Sequence, residues 1–308
     1  MGKWNEKVVG GFSFLLYILN TIFWNFPLFT IAFLKFIIPN KTWRRLCTRL
    51  LKEIACYWIA VNNWNAGLKR SIRWDVQGVE GLKQDDWYLV ISNHQTWVDI
   101  LVLQKIFHRK IPFLKFFLKK ELIWVPILGL AWWALDFPFM KRYSDAFLQK
   151  HPHLKGKDME TTRQACEKFK TMPIAVMNFV EGTRFTTERH DKQQSPFANL
   201  LKPKAGGTAF VLSAMGSCIN SILNVTIAYP QGDKSFWDFL CGRVKEIIVR
   251  VEVLPLKKEL IGDYTEDPEF RARFQEWVNN LWAEKDQKLA ELKMQAASRT
   301  DVQPSQRM

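Results

Sequence analysis

From Val9 to Leu34 the chain reads VGGFSFLLYILNTIFWNFPLFTIAFL, without one charged residue. About 20 apolar residues in a helix already suffice to cross the hydrocarbon core of a bilayer. The stretch is too long for the core of a signal peptide and carries no small-residue cleavage site, so it reads as a retained membrane anchor. Asn20, Asn25 and Pro27 lie within it and leave open a kinked or re-entrant hairpin in place of a straight span. Lys35, Lys41, Arg44, Arg45, Arg49 and Lys52 follow the stretch, whereas Lys3 and Lys7 precede it. The positive-inside rule then sets the following flank, and everything after it, in the cytoplasm. The competing reading is a buried soluble helix, but such helices rarely run this far without a charge.

Charge and aromatic content agree with a membrane surface. The 308 residues carry a formal net charge of +14, an excess that suits an anionic partner. The 23 Phe and 14 Trp turn that preference towards lipid headgroups, where an indole is half apolar and half wet. No RNA- or DNA-binding motif accompanies the basic residues, so a nucleic-acid partner is not expected. Apolar content of 48% is enough for a packed core. The five cysteines are scattered and form no CxxC pair, which argues against disulfides or zinc and for a reducing compartment.

Beyond the anchor, residues 43–62 (WRRLCTRLLKEIACYWIAVN) have a helical period with basic residues on one face, as an interfacial helix does. Strand-like and helix-like segments then alternate. DWYLVISN, PIAVMNFV, ILNVTIAY and VKEIIVRVEVLPL read as strands. WVDILVLQKIF, GGTAFVLSAMG and the long DPEFRARFQEWVNNLWAEKDQKLAELK read as helices, with a further one after a capping Asp158. The run ending in FPFM is broken by Pro126, Gly129 and Pro138 into a helix and a strand ending near Met140. About twenty polar residues from Thr183 to Lys204 read as one long loop. Alternation of this kind predicts an α/β fold with a largely buried sheet. The organisation expected is an anchor at 1–42, an interfacial helix at 43–70, a catalytic domain at 71–292 and a polar, disordered tail at 293–308.

Chemistry-bearing residues gather at four places. His94 and Asp99 lie in NHQTWVD, where a strand gives way to a helix. A bend there can set the carboxylate against one imidazole nitrogen and leave the other free to accept a proton. The spacing alone also fits a capping aspartate beside a satisfied histidine, so both readings stand. NFVEGTRFT ends a buried strand in Glu181, Gly182, Thr183 and Arg184. Gly182 allows a sharp turn, and an arginine at a strand's C-terminal edge suits bidentate phosphate recognition or merely a solvated corner. Lys141 and Arg142 end FPFMKR, and Lys202 and Lys204 precede a glycine-rich helix start. GxSxG, HExxH and GxGxxG are all absent, so a serine hydrolase elbow, a zincin site and a dinucleotide fingerprint are not expected.

Taken together, these blocks resemble the 1-acyl-sn-glycerol-3-phosphate acyltransferases, from about residue 72 to about residue 256. Asn93 to Asp99 matches that family's NHx4D motif, Phe139-Met140-Lys141-Arg142 resembles its second block, and Phe179-Val180-Glu181-Gly182-Thr183-Arg184 matches its third. Val180 in place of proline, with Phe185 and Thr186 following, is similar to a VEGTRFT subgroup of eukaryotic endoplasmic-reticulum and lysocardiolipin-type members and some bacterial relatives, and a bacterial member is expected. In the fourth block Thr226 stands where the family has proline. The resemblance implies a mixed sheet flanked by helices in a glycerolipid-acyltransferase-type α/β fold. It implies His94 as general base and Asp99 as its orienting acid, with Arg142, Glu181, Gly182, Arg184 and Lys204 binding the acceptor's phosphate. The reaction implied is acyl transfer from acyl-CoA or acyl-carrier protein to the sn-2 hydroxyl of lysophosphatidic acid, without metal or cofactor. The expected place is a phospholipid surface, the bacterial inner membrane with the catalytic domain on the cytoplasmic side. A remodelling enzyme for another lysophospholipid, and a non-enzymatic adaptor binding anionic lipid, are the alternatives.

Overall fold

A computed structural model describes residues 3–68, 72–140, 172–232 and 234–301 of the chain. Lys3–Ile37 form one helix, α1, with Pro27 inside it, so the apolar stretch is not a re-entrant hairpin. Lys41–Leu68 form a second helix, α2, that runs back along the first. The polar residues that interrupt the apolar stretch explain the pairing. Ser13 donates to Asn65 at 3.0 Å, and Asn20 donates to the Asn62 side chain at 2.8 Å and to the Trp58 carbonyl at 3.0 Å. Near the turn, the Trp43 indole donates to the Leu34 carbonyl. The outer face stays bare: Phe12, Phe23, Phe26, Phe33 and Phe36 are each more than half exposed.

The sheet-bearing part begins with β1 (Arg73–Gln77), β2 (Tyr88–Ser92), α3 (Val98–Phe107) and β3 (Leu114–Phe116). A small satellite follows, in which β4 (Leu118–Lys119) pairs with β5 (Phe139–Met140) around helix α4 (Leu128–Ala134). Then come β6 (Ala175–Phe179), α5 (Thr187–Gln193), α6 (Ala205–Met215), β7 (Ser221–Ala228), α7 (Phe236–Leu240), β8 (Glu246–Pro255) and the long α8 (Pro268–Asp301). The sheet order is β1-β8-β7-β2-β6-β3. Strands β3, β6, β2 and β7 are mutually parallel, and β8 turns antiparallel to β7, so the sheet is mixed, as expected.

Each central strand is covered on both faces, which is why β2 and β6 read as unbroken apolar runs. Alternate residues face opposite sides. Leu89, Ile91, Val176 and Ile222 pack under α6 and α8 with Phe274 and Trp282. Tyr88, Val90, Met177 and Leu223 pack against α3 and α7 with Val102, Ile106 and Phe239. Fully burying such a side chain contributes about 1.5–3 kcal/mol.

Several segments differ from the sequence reading. The polar loop after Arg184 contains α5, whose sequence TERHDKQ has no apolar period to betray it. Its cap is local: the Thr186 hydroxyl accepts the Arg189 N–H at 3.2 Å. Strand β1 was hidden because it is mostly polar; an edge position paired with β8 and an Arg73–Glu246 ion pair at 2.6 Å hold it. Helix α8 runs on to Asp301, into the segment read as a disordered tail, because Leu292 and Ala296 still reach the core. The helix expected after Asp158 lies outside the described residues.

Candidate active site

The parallel strands β6, β2 and β7 end together, and open α/β sheets hold their ligands outside such carboxyl ends. Ser92 pairs with Phe179 on one side and Val225 on the other, which fixes the register of three chain segments leaving the sheet. Asn93, fully buried, extends the ladder with its side chain. Its amide donates to the Ile227 carbonyl and its carbonyl accepts the Ile227 N–H, both at 2.9 Å.

His94 follows, clamped through its backbone by the turn after β6. Its N–H donates to Glu181 Oε1 at 3.0 Å, and its carbonyl accepts the Phe185 N–H at 2.7 Å. The imidazole stacks on Phe179, with centroids 3.8 Å apart and planes 13° apart. Nδ1 lies 2.8 Å from Asp99 Oδ2. Asp99 is fully buried and satisfied several times over. Oδ2 also accepts the N–H groups of Gln95 and Thr96, and Oδ1 accepts the Tyr229 hydroxyl at 2.7 Å. Carrying that many donors, the carboxylate is an acceptor for Nδ1–H, so Nε2 keeps a lone pair. Nε2 has no hydrogen-bond partner among the described residues, and the His94 side chain stays 12% exposed. The bend between strand and helix thus joins two residues that a straight helix would have turned apart.

Glu181 stands beneath this corner. Oε1 holds the His94 N–H and Oε2 holds the Leu201 N–H at 2.9 Å, and the side chain is fully buried. Burial, with the Asp99 carboxylate near it, pushes its pKa up to about 8 against those two amide bonds. Each oxygen accepts one backbone N–H, so Glu181 ties the His94 and Leu201 segments together. Gly182 adopts φ +72° in a turn closed by its N–H on the Phe179 carbonyl. A side chain would strain that backbone. The Arg184 guanidinium sits 4.5 Å over the ring of Trp97, a residue with half its surface exposed. Neither Arg184 nor Lys204 has a carboxylate within ion-pair distance among the described residues. Lys204 is exposed at the start of α6, and its backbone N–H donates to the Val180 carbonyl at 2.7 Å. The corner therefore gathers His94, Asp99, Glu181, Gly182 and Arg184, with Lys204 alongside. Arg142 lies outside the described residues.

Sequence reasoning met Asn93 and Phe179 only as members of motif blocks and missed the contacts that Trp97 and Tyr229 make in this corner. Tyr229 is 130 positions from Asp99, and nothing local to either residue signals the contact. Behind the corner, Lys285 of α8 is buried and donates to the Val225 carbonyl at 2.6 Å and the Thr226 hydroxyl at 3.2 Å. Burial pulls its pKa down to about 7, against the pull of Glu181 and Glu252.

The chain is similar to known proteins. Residues 73–229 match the family described as Acyltransferase. The 1-acyl-sn-glycerol-3-phosphate acyltransferase 3 of Arabidopsis thaliana is 25% identical over 273 residues, 82% of this chain and 67% of that protein. The epsilon form of that enzyme in Mus musculus is 22% identical over 68% of this chain and 59% of its own length. This chain therefore spans between 59% and 67% of the length of these two relatives. Among solved structures, the 1-acyl-sn-glycerophosphate acyltransferase PlsC of Thermotoga maritima superposes with a TM-score of 0.51 over 94% of this chain and 98% of that one. At 17% identity that likeness speaks for the fold.

Proposed function

The chain belongs to the acyltransferase family, and from that premise we propose that it moves a fatty acyl group from a thioester to the sn-2 hydroxyl of 1-acyl-sn-glycerol 3-phosphate. The observation that carries the reading is the His94–Asp99 pair at 2.8 Å with Nε2 left unpartnered at the sheet's edge. Nε2 takes the proton of the acceptor hydroxyl as its oxygen attacks the thioester carbonyl. Asp99 holds Nδ1–H and supports the imidazolium that forms. Collapse of the tetrahedral intermediate breaks the carbon–sulfur bond, and the proton on Nε2 passes to the departing thiolate of coenzyme A or acyl-carrier protein. No acyl-enzyme is needed, in keeping with the missing GxSxG elbow.

Arg184, preoriented on Trp97, is the principal phosphate ligand in this reading. Arg142 and Lys204 assist it, and Gly182 lets the backbone approach the ligand. The lipid acceptor and product place the site at a membrane surface, and the bare apolar face of α1 and α2 supplies the attachment. We read α1 as lying along that surface. Glu6 near its start pairs with Arg243, and Lys35 near its end pairs with Asp136, at 3.0 and 2.9 Å. Those contacts lie about 44 Å apart along the helix, yet both partners belong to the sheet-bearing body. A crossing helix would leave one of them on the far side. The cytoplasmic face of the bacterial inner membrane remains the location proposed.

The test is a panel of lysolipids (lysophosphatidic acid, lysophosphatidylcholine, monolysocardiolipin) with one labelled acyl-CoA. Acylation of lysophosphatidic acid in preference to the others, reduced about 10²–10⁴-fold in His94→Ala with an unchanged melting transition, is the expected result. Preference for another lysolipid would turn the reading to remodelling. Undiminished turnover in the variant would remove His94 from the chemistry.

A further inference from the structure

A cavity of about 540 Å³ opens away from the catalytic corner, between α2, β3 and the end of α4. That size lies within the ordinary range for small-ligand sites. Ile174, at its floor, precedes β6, whose other end carries Phe179 against His94. Five strand residues separate the two places by about 17 Å.

The chemistry of the wall is lopsided. Arg44, Arg45, Arg49 and Lys52 enter from α2, and Lys115 from β3. Positions 45, 49 and 52 follow the helical repeat, so their side chains share one face. Among the described residues, none of the four α2 cations has a carboxylate within ion-pair distance. The one acid among the described lining residues, Asp136, is already paired with Lys35 at 2.9 Å. The floor is apolar, with Leu51, Phe113, Leu135 and Ile174. Burying such a cluster against a structural face would oppose like charges without relief.

The surroundings say what fits. Leu46 and Leu50 alternate with the arginines on α2 and are exposed, and Leu130 and Trp133 are exposed on α4. The helices that wall the cavity therefore carry bare apolar side chains of their own. Cations over an apolar floor, at the rim of a lipid-facing surface, match an anionic headgroup with the start of its acyl chains.

We propose that this cavity holds one anionic phospholipid, separate from the acyl acceptor at His94, and that α2 thereby selects negatively charged membranes. The inference rests on the reading of α1 and α2 as a membrane-surface attachment; acyl transfer is not needed for it. The full chain in nonionic detergent is titrated with dihexanoylphosphatidylglycerol, and separately with dihexanoylphosphatidylcholine, each below its micelle concentration, by calorimetry. The glycerol lipid should bind at least about tenfold more tightly. Removing two cations with Arg45→Gln/Arg49→Gln should weaken it by about thirtyfold, while turnover of a soluble short-chain lysophosphatidic acid continues unchanged. Arg184→Gln and His94→Ala should leave the binding as it was.

Equal binding of the two lipids, or unaltered binding in the double variant, overturns the site. Loss of binding in Arg184→Gln would return the lipid to the catalytic corner, and displacement by free coenzyme A would give the cavity to the thioester donor. Loss of soluble turnover in the double variant would draw these arginines into the catalytic machinery; each of these results defeats the proposal. If the wild type acylates none of the lysolipids yet binds the anionic lipid as described, the catalytic reading fails and this one stands.

Discussion

The catalytic corner and the α1–α2 pair both bury polar side chains, and they satisfy them in opposite ways. At the corner, backbone groups do most of the work: Glu181 and Asp99 accept four N–H donors between them. None of the side-chain atoms of Asn93, His94, Asp99 or Glu181 is a buried group without a partner. In the helix pair, side chain meets side chain, as Ser13 meets Asn65 and Asn20 meets Asn62, and Asn25 Oδ1 and Asn62 Nδ2 remain buried without a partner. Backbone donors are fixed by the path of the chain, so the corner's geometry is rigid. Side-chain pairs depend on how two helices slide, so the pair tolerates adjustment at a lipid surface. In the function proposed, chemistry is built on the first and attachment on the second.

The comparison breaks most sharply at Asp99. Asp99→Asn keeps the shape but removes the charge: the amide oxygen stays on Nδ1–H and the two N–H donors, its NH2 turns to the Tyr229 oxygen, and the imidazolium formed during the reaction loses its counter-charge. The turnover number should fall by about 10³-fold with little change in KM for the lysolipid. A loss under tenfold would show that backbone clamping alone orients His94. Glu181→Gln comes next. Its NH2 must face either the His94 or the Leu201 N–H, so a buried donor loses its acceptor, at about 1–3 kcal/mol of stability. Chemical denaturation should register that loss together with reduced turnover, because both follow from the same displaced backbone.

Asn20→Leu tests the other region. It removes two hydrogen bonds and leaves Asn62 Oδ1 without its donor, again at about 1–3 kcal/mol at most, and less where lipid lets the helices shift. Activity on vesicles should drop severalfold while activity on a soluble short-chain substrate holds. An equal fall in both would mean that the helix pair supports the corner directly.

The smallest effect concerns Lys285, whose pKa burial lowers to about 7 from an ordinary 10.5. Between those values the unfolded chain binds a proton that the folded one sheds, so this residue makes stability rise with pH across that window. Glu181, raised to about 8, works the other way from its ordinary 4.5 up to that point. Above pH 8 Glu181 no longer contributes, while the lysine's contribution continues beside those of Lys105, lowered by burial, and Cys56, raised by it. Denaturation midpoints measured from pH 8 to pH 10 should climb in the wild type and lie flatter in Lys285→Met. Parallel slopes would remove Lys285 as their source.

Much of this was legible along the chain. The apolar runs of β2 and β6 announced buried strands because parallel strands covered on both faces have no polar positions. Gly182 announced a turn because few other residues accept its backbone. The amphipathic period of α2 was equally plain. Helix α5 and strand β1 were not legible, because one lacks an apolar period and the other is held by an edge pairing. Glu181 was legible as important, but its buried clamp on the His94 and Leu201 backbone was not, because those partners lie 87 and 20 positions away.

By itself the sequence determined the family blocks, the strand-to-helix corner carrying His94 and Asp99, and an apolar stretch in need of lipid or a partner. Those properties are written in residue type and short-range spacing. Only the tertiary structure decided that Tyr229 donates to Asp99, that Glu181 clamps His94, that α1 is pinned at both ends to the sheet-bearing body, and that four cations of α2 face a cavity. Each of those depends on segments brought together by the sheet's register and by helix packing. Contacts across tens or hundreds of residues leave no periodicity to read.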